Sequence, residues 1–162
     1  MQQDELARQL GAALSAKHWR MASAESCTGG GVAVAVTDIA GSSEWFDRAF
    51  VTYSNESKRD MLGVDLAIIE HHGAVSRQTV EQMAQGALRA SRANISVAIS
   101  GVAGPGGGSE TKPVGTVWIA WADESDRLSS HCFQFTGDRF AVRSQAIVAA
   151  LRGLINIVEQ TP

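Results

Sequence analysis

The sequence predicts an α/β sandwich around a mixed sheet of about five strands. Short apolar, β-branched runs alternate with longer stretches of helical periodicity along most of the chain. Two strand-like runs, Gly115 to Ala122 and Leu128 to Thr136, are separated only by a polar turn, which marks a hairpin joined to the alternating part. The 162 residues, 44% of them hydrophobic, suffice for one core and leave little room for a second. Residues 1–162 therefore read as a single domain.

The elements follow in order. Leu6, Leu10 and Leu14 recur at i, i+4 and i+8, so Asp4 to Lys17 is an amphipathic helix. Met21 to Glu25 is a short strand. Val32 to Ala40 stays open: its alternation and β-branching fit a strand, while Val32, Val36, Ile39 and Ala40 share a helical face. Thr28 stands where an N-cap for that helix belongs and Gly41 where it would stop. Arg48 to Ser54 has strand composition, and Asn55 caps a helix through Lys58 to Leu62 that Gly63 ends. Asp65 to His72 is a second short helix, ended by Gly73. Ser76 caps a longer one to about Ser91, with Val80, Met83, Ala84 and Leu88 on one side. Ile95 to Ser100 is a buried strand, and Asp138 to Val158 a long amphipathic helix after the hairpin.

Composition removes several function classes. A net charge of -3 leaves no electrostatic footprint for nucleic acid. Cys27 and Cys132 are too few for a disulfide framework and lack metal-ligand spacing, and no two histidines are spaced as metal ligands. No metal or cofactor is expected. The N-terminus lacks a signal-peptide pattern, and no run approaches the ~18 consecutive apolar residues of a membrane span, so a cytoplasmic location with no membrane partner is expected. Trp45, Phe46 and Trp121 are candidates for a subunit contact in a homo-oligomer, with core packing as the alternative for each.

Glycine is the unusual number. Of 16 glycines, eight fall in two groups: Gly29 to Gly31, and Gly101, Gly104 and Gly106 to Gly108. No Gly-Lys pair exists for a phosphate-binding P-loop, and a G-x-G-x-x-G reading from Gly104 fails at Ser109. Glycines still allow backbone N–H groups to face a ligand, although two tight turns explain them equally well. Beside the first group, Ala24-Glu25-Ser26-Cys27-Thr28 sets two nucleophile types next to a turn. Ser26 just before a helix N-terminus suits developing negative charge; simple capping by Ser26 or Thr28 is the commoner fate. The four histidines are scattered, which leaves Lys58 as the candidate base, provided that burial and nearby cations keep it partly neutral.

The blocks AESCTGG (24–30), DIAGSSEWF (38–46), FVTYSNESK (50–58), HGAVS (72–76), ISGVAGPGGGSETKPVGTVW (99–118) and FTGDRFAVRSQA (135–146) together resemble the CinA C-terminal domain family, in its order and over nearly the whole chain. Stand-alone members of that family are nicotinamide-nucleotide amidases; longer ones carry an additional N-terminal domain. The resemblance implies a three-layer α/β/α sandwich, with Val32 to Ala40 helical. It further implies metal-free hydrolysis of nicotinamide mononucleotide to nicotinic acid mononucleotide and ammonia.

Carried over by motif, Ser26 is the nucleophile, Lys58 its base, and Tyr53 lies beside them to stack on the pyridinium or relay a proton. Backbone groups at Thr28, Gly29 and Gly30 are expected as oxyanion donors, with Gly41 and Ser42 as the alternative. Arg139, Arg143 and the loop from Gly104 are expected at the substrate phosphate, and Ser100 facing the ligand. Cys27 reads as packing. A small pyridine nucleotide is the expected partner; the competing reading is a non-catalytic, nucleotide-binding accessory domain. The two glycine groups then become opposite walls of one pocket.

Overall fold

The computed structural model describes residues 2–162, and its sheet order is β2-β1-β3-β4-β5. The strands are β1 (Met21–Glu25), β2 (Phe46–Val51), β3 (Ile95–Gly101), β4 (Thr116–Asp123) and β5 (Leu128–Gln134). β1 pairs in parallel with both β2 and β3, whereas β4 and β5 are added antiparallel. The helices are α1 (Gln2–Lys17), α2 (Gly31–Thr37), α3 (Asn55–Leu62), α4 (Leu66–His72), α5 (Arg77–Arg89) and α6 (Arg139–Gln160). This is the expected mixed five-stranded α/β sandwich.

Strand alternation sends side chains to two separate cores. Met21, Ile95, Val97 and Ile99 pack with α1, α2 and α6; Ala24, Ala98 and Ala120 pack with α3 and α5. The small residues on the second face let α5 lie close to the sheet. Helix α6 is long and apolar enough to cross a membrane, yet eight of its residues, from Val142 to Val158, are buried in the first core.

The open segment is helical, but only over Gly31–Thr37, with Asp38 rather than Gly41 at its end. Thr28 is not its cap. Gly30 holds that position with φ 100° and no side-chain bond, and the carboxylate of Glu25 accepts the amides of Val32 and Ala33 instead. Strand β2 starts earlier than expected and stops at Val51, because Thr52 and Tyr53 turn their carbonyls to a side chain described below. Ser54, not Asn55, caps α3 by accepting from Ser57 N–H. Trp45 and Trp121 belong to the core, and Phe46 is half-buried against it. A side chain on Gly11 would meet the Trp45 indole at 2.7 Å, and Trp121 Nε1 donates to Ala150 O. Core packing, the alternative for each ring, is what Trp45 and Trp121 show.

Candidate active site

Three parallel strands point their carboxyl ends to one edge, and the loops after β1 and β3 leave that edge side by side. A crevice outside the carboxyl ends of adjacent parallel strands is where open α/β sheets bind ligands. Both glycine groups are there. Ser26 is the first residue past β1, and its amide donates to Ile99 O at 3.0 Å, which ties the loop to β3.

Lys58 comes to Ser26 from α3. It is 1% exposed, and its Nζ lies 3.2 Å from Ser26 Oγ, 2.9 Å from Thr52 O and 3.1 Å from Tyr53 O. Carbonyls only accept, so two Nζ hydrogens are committed to Thr52 and Tyr53. The remaining tetrahedral position faces Ser26 Oγ and carries either a proton or a lone pair. Among the described residues no carboxylate pairs with Lys58, and burial pulls its pKa below the ordinary lysine range, partly opposed by Cys27 and Glu56. When that proton is off, the amine aims its lone pair at the serine hydroxyl.

Tyr53 joins this pair only through its main chain. Its carbonyl accepts from Lys58 and, at 3.4 Å, from Ser26 Oγ, while the side chain is 63% exposed and its phenol oxygen lies 3.4 Å from Arg139 Nη2. Cys27 is buried, and burial pushes its thiol up to about 11, so it holds its proton near neutral pH. Packing is its place, as the sequence suggested.

The loop after Ser26 is held from two sides. Glu25, fully buried, accepts from Ser23 Oγ, Thr28 Oγ1, Val32 N and Ala33 N at 2.7–3.1 Å. The N-terminus of α2 is therefore already occupied and is not open to a developing oxyanion. Gly29 N–H is spent on Ser26 O at 3.0 Å. The amides of Cys27, Thr28 and Gly30 have no acceptor among the described residues. From the other side Arg143 reaches Cys27 O at 3.0 Å and Thr28 O at 3.3 Å.

Arg139, one turn before Arg143, donates to Gly104 O at 2.8 Å. The first turn of α6 therefore bonds to both glycine loops. Ser100 is buried, lies one residue past Ile99 and so sits level with Ser26. It alternates with Ile99 onto the face of β3 that carries Ala98 and α5, the layer that also holds α3 and Lys58.

Gly41 and Ser42 are not in this group. They precede β2 next to Trp45, whose carbonyl bonds Met21 at the start of β1, so they lie at the amino end of the sheet. Five strand residues separate them from Ser26, roughly 15 Å. A groove of about 1060 Å³ between α6 and β5, lined by His131, Phe133, Phe135 and Arg152, also lies apart from Ser26 and Lys58. Among the described residues no three His, Cys, Asp or Glu side chains are grouped as metal ligands.

Sequence reasoning missed Glu25 as a fourfold acceptor. The available signal was a glutamate closing an otherwise uncharged strand, Met21–Glu25. It also missed that the main chain of Thr52 and Tyr53, rather than a side chain, orients the lysine.

With this geometry in place, comparison with known proteins is direct. The model of the CinA C-terminal domain matches residues 3–158, and the chain belongs to that family. The nicotinamide-nucleotide amidohydrolase PncC of Enterobacter agglomerans is 55% identical over 148 residues, spanning 91% of this chain and 90% of that protein. The protein of the same name from Pseudomonas putida is 53% identical over 152 residues, 94% of each. The crystal structure of competence/damage inducible protein CihA from Agrobacterium tumefaciens superposes with a TM-score of 0.96 at 46% identity, covering 99% of this chain and 97% of that one.

Proposed function

We propose that this protein hydrolyses the carboxamide of nicotinamide mononucleotide to nicotinic acid mononucleotide and ammonia, with Ser26 as nucleophile and Lys58 as base. The chain is an amidohydrolase, a class that rests on its full-length relatives. For the mechanism, the carrying observation is a buried lysine without a carboxylate, locked by two carbonyls and aimed at a serine hydroxyl.

Neutral Lys58 takes the Ser26 proton as Oγ attacks the carboxamide carbon. The tetrahedral oxyanion is met by free amides of the loop, at Cys27, Thr28 or Gly30. Collapse breaks the C–N bond; Lys58 returns its proton to the leaving nitrogen, and ammonia departs. An ester to Ser26 remains. Lys58 then deprotonates a water that attacks the ester, and the proton returns to Ser26 Oγ as the carboxylate product leaves. The substrate phosphate takes N–H groups of Arg139 left over from Gly104 and Tyr53, together with amides of the exposed loop after β3. Tyr53, exposed beside Arg139, offers its ring face to the cationic pyridinium.

The test is ammonia release from nicotinamide mononucleotide by chelator-treated protein, with the nucleotide product identified by chromatography. Turnover by the wild type and a loss of about 10⁴-fold in Ser26→Ala are expected. Binding without turnover in the wild type would replace this reading with a nucleotide-binding accessory domain.

A further inference from the structure

The guanidinium of Arg143 bonds two successive carbonyls, Cys27 O through Nε and Thr28 O through Nη2. Thr28 O has a second donor, Gly31 N–H at 2.9 Å, but Cys27 O has Arg143 alone among the described residues. These carbonyls belong to a four-residue turn closed by Gly29 N–H on Ser26 O. The central peptide of such a turn, here Cys27–Thr28, has two orientations that differ by a flip of its plane, the second of which needs a positive φ that Thr28 does not have. In one, its N–H lies on the side of the first residue's side chain, where a serine hydroxyl often finds it. In the other, the carbonyl takes that place.

A trans peptide sets its C=O and N–H on opposite sides. A bond from Arg143 to Cys27 O therefore sets the facing of Thr28 N–H as well. The arginine stands on a firm base: Val142 and Ala146 beside it are fully buried, and Ile147 one turn on is packed against Gly31. Thr28 cannot drift either, since its hydroxyl is 2.7 Å from Glu25 Oε1.

We propose that Arg143 is a positioning residue, holding the Cys27–Thr28 peptide so that Thr28 N–H meets the oxyanion formed at the Ser26 adduct, rather than a ligand of the substrate phosphate. The inference rests on the amidase reading above and names the donor that reading left among three. It also parts Arg143 from Arg139, which the sequence alone had placed in one role. Arg143 works from behind the loop, through main-chain carbonyls; Arg139 stands at the exposed rim with Tyr53 and Gly104.

The two roles separate by experiment. Arg143→Met and Arg143→Lys are assayed for kcat with nicotinamide mononucleotide, and for affinity toward nicotinic acid mononucleotide by calorimetry, with folding checked by circular dichroism. A positioning role predicts that Arg143→Met loses about 100-fold in kcat, the usual cost of one oxyanion donor, while product affinity stays within about threefold. Arg143→Lys keeps the charge without spanning both carbonyls, so it is expected to lose about tenfold in kcat. It carries the same comparison if the methionine variant does not fold. A fall in product affinity of more than about tenfold, with kcat at saturation held within about threefold, would show a phosphate ligand and overturn the proposal. A wild type without turnover would instead remove the amidase reading, and the inference with it.

Discussion

The two glycine-rich loops look alike in the sequence and differ in the fold. In the first, Ser26 to Thr28 are buried and the segment is bonded to Glu25, Ile99 and Arg143. In the second, residues 105–111 are all exposed, with fixed points at its base, where Val102 and Gly115 pair, and at Lys112, which holds His72 O. Chemistry needs the first kind of loop. An oxyanion donor misplaced by a fraction of an ångström loses its bond, whereas a recognition loop tolerates and even requires freedom to meet its ligand. The same residue type thus serves opposite ends: close-packed backbone in one place, open backbone in the other.

Lys58 sharpens this contrast most, because it tests whether the buried side holds a working base. Lys58→Met should lower kcat about 10³-fold with the fold retained. In the wild type, kcat should rise with pH as Lys58 loses its proton, with an inflection below the ~10.4 of an ordinary lysine. The same shift has a sign in stability. Below the native pKa of Lys58, native and unfolded chains both hold the proton, and the cost of burying the charge is full. Between that value and ~10.4 only the unfolded chain holds it, so stability rises with pH. Cys27 acts oppositely, since burial holds its native thiol at about 11 against 9.0 for an ordinary thiol. Both proteins carry Cys27, so unfolding curves of wild type and Lys58→Met should diverge with rising pH in the direction set by Lys58. Parallel curves would mean that the lysine is solvated and not a base.

A smaller effect compares the loops through their glycines. Gly29 has φ +59° and lies 3.4 Å from Arg143 Nη2, measured from a side chain placed there, whereas a side chain on Gly106 would meet nothing within 4 Å. Gly29→Ala should cost about 1–2 kcal/mol from the left-handed backbone. Gly106→Ala should change stability by less than about 0.5 kcal/mol. Chemical denaturation measures both, and equal losses would mean that the loops do not differ in the way described.

Much of this was legible beforehand. Leu6, Leu10 and Leu14 mark α1 by period alone, and the block FVTYSNESK brings Tyr53 and Lys58 to the end of β2 because α3 starts there. Other parts were not readable from local pattern. Val32 to Val36 has the composition of a strand; the helix forms there because the Glu25 carboxylate, six residues before α2 begins, caps its main-chain amides across the intervening turn. Gly41 and Ser42 resembled loop donors, but a crossover helix carries the chain back along the sheet and leaves them at its far end. Tyr53 was expected as a side chain at the nucleophile, whereas its carbonyl is what Lys58 needs. In each case the deciding contact is long-range or main-chain, and residue identity records neither.

Hydrolysis through Ser26 requires a covalent bond to its Oγ. Rapid quenching of the wild type during turnover of nicotinamide mononucleotide, followed by peptide mapping with tandem mass spectrometry, looks for it directly. An acyl adduct carrying the nicotinic acid mononucleotide moiety on Ser26 is the predicted result. The same mass on Cys27, or an unmodified Ser26 at every time point of a single turnover, would contradict it.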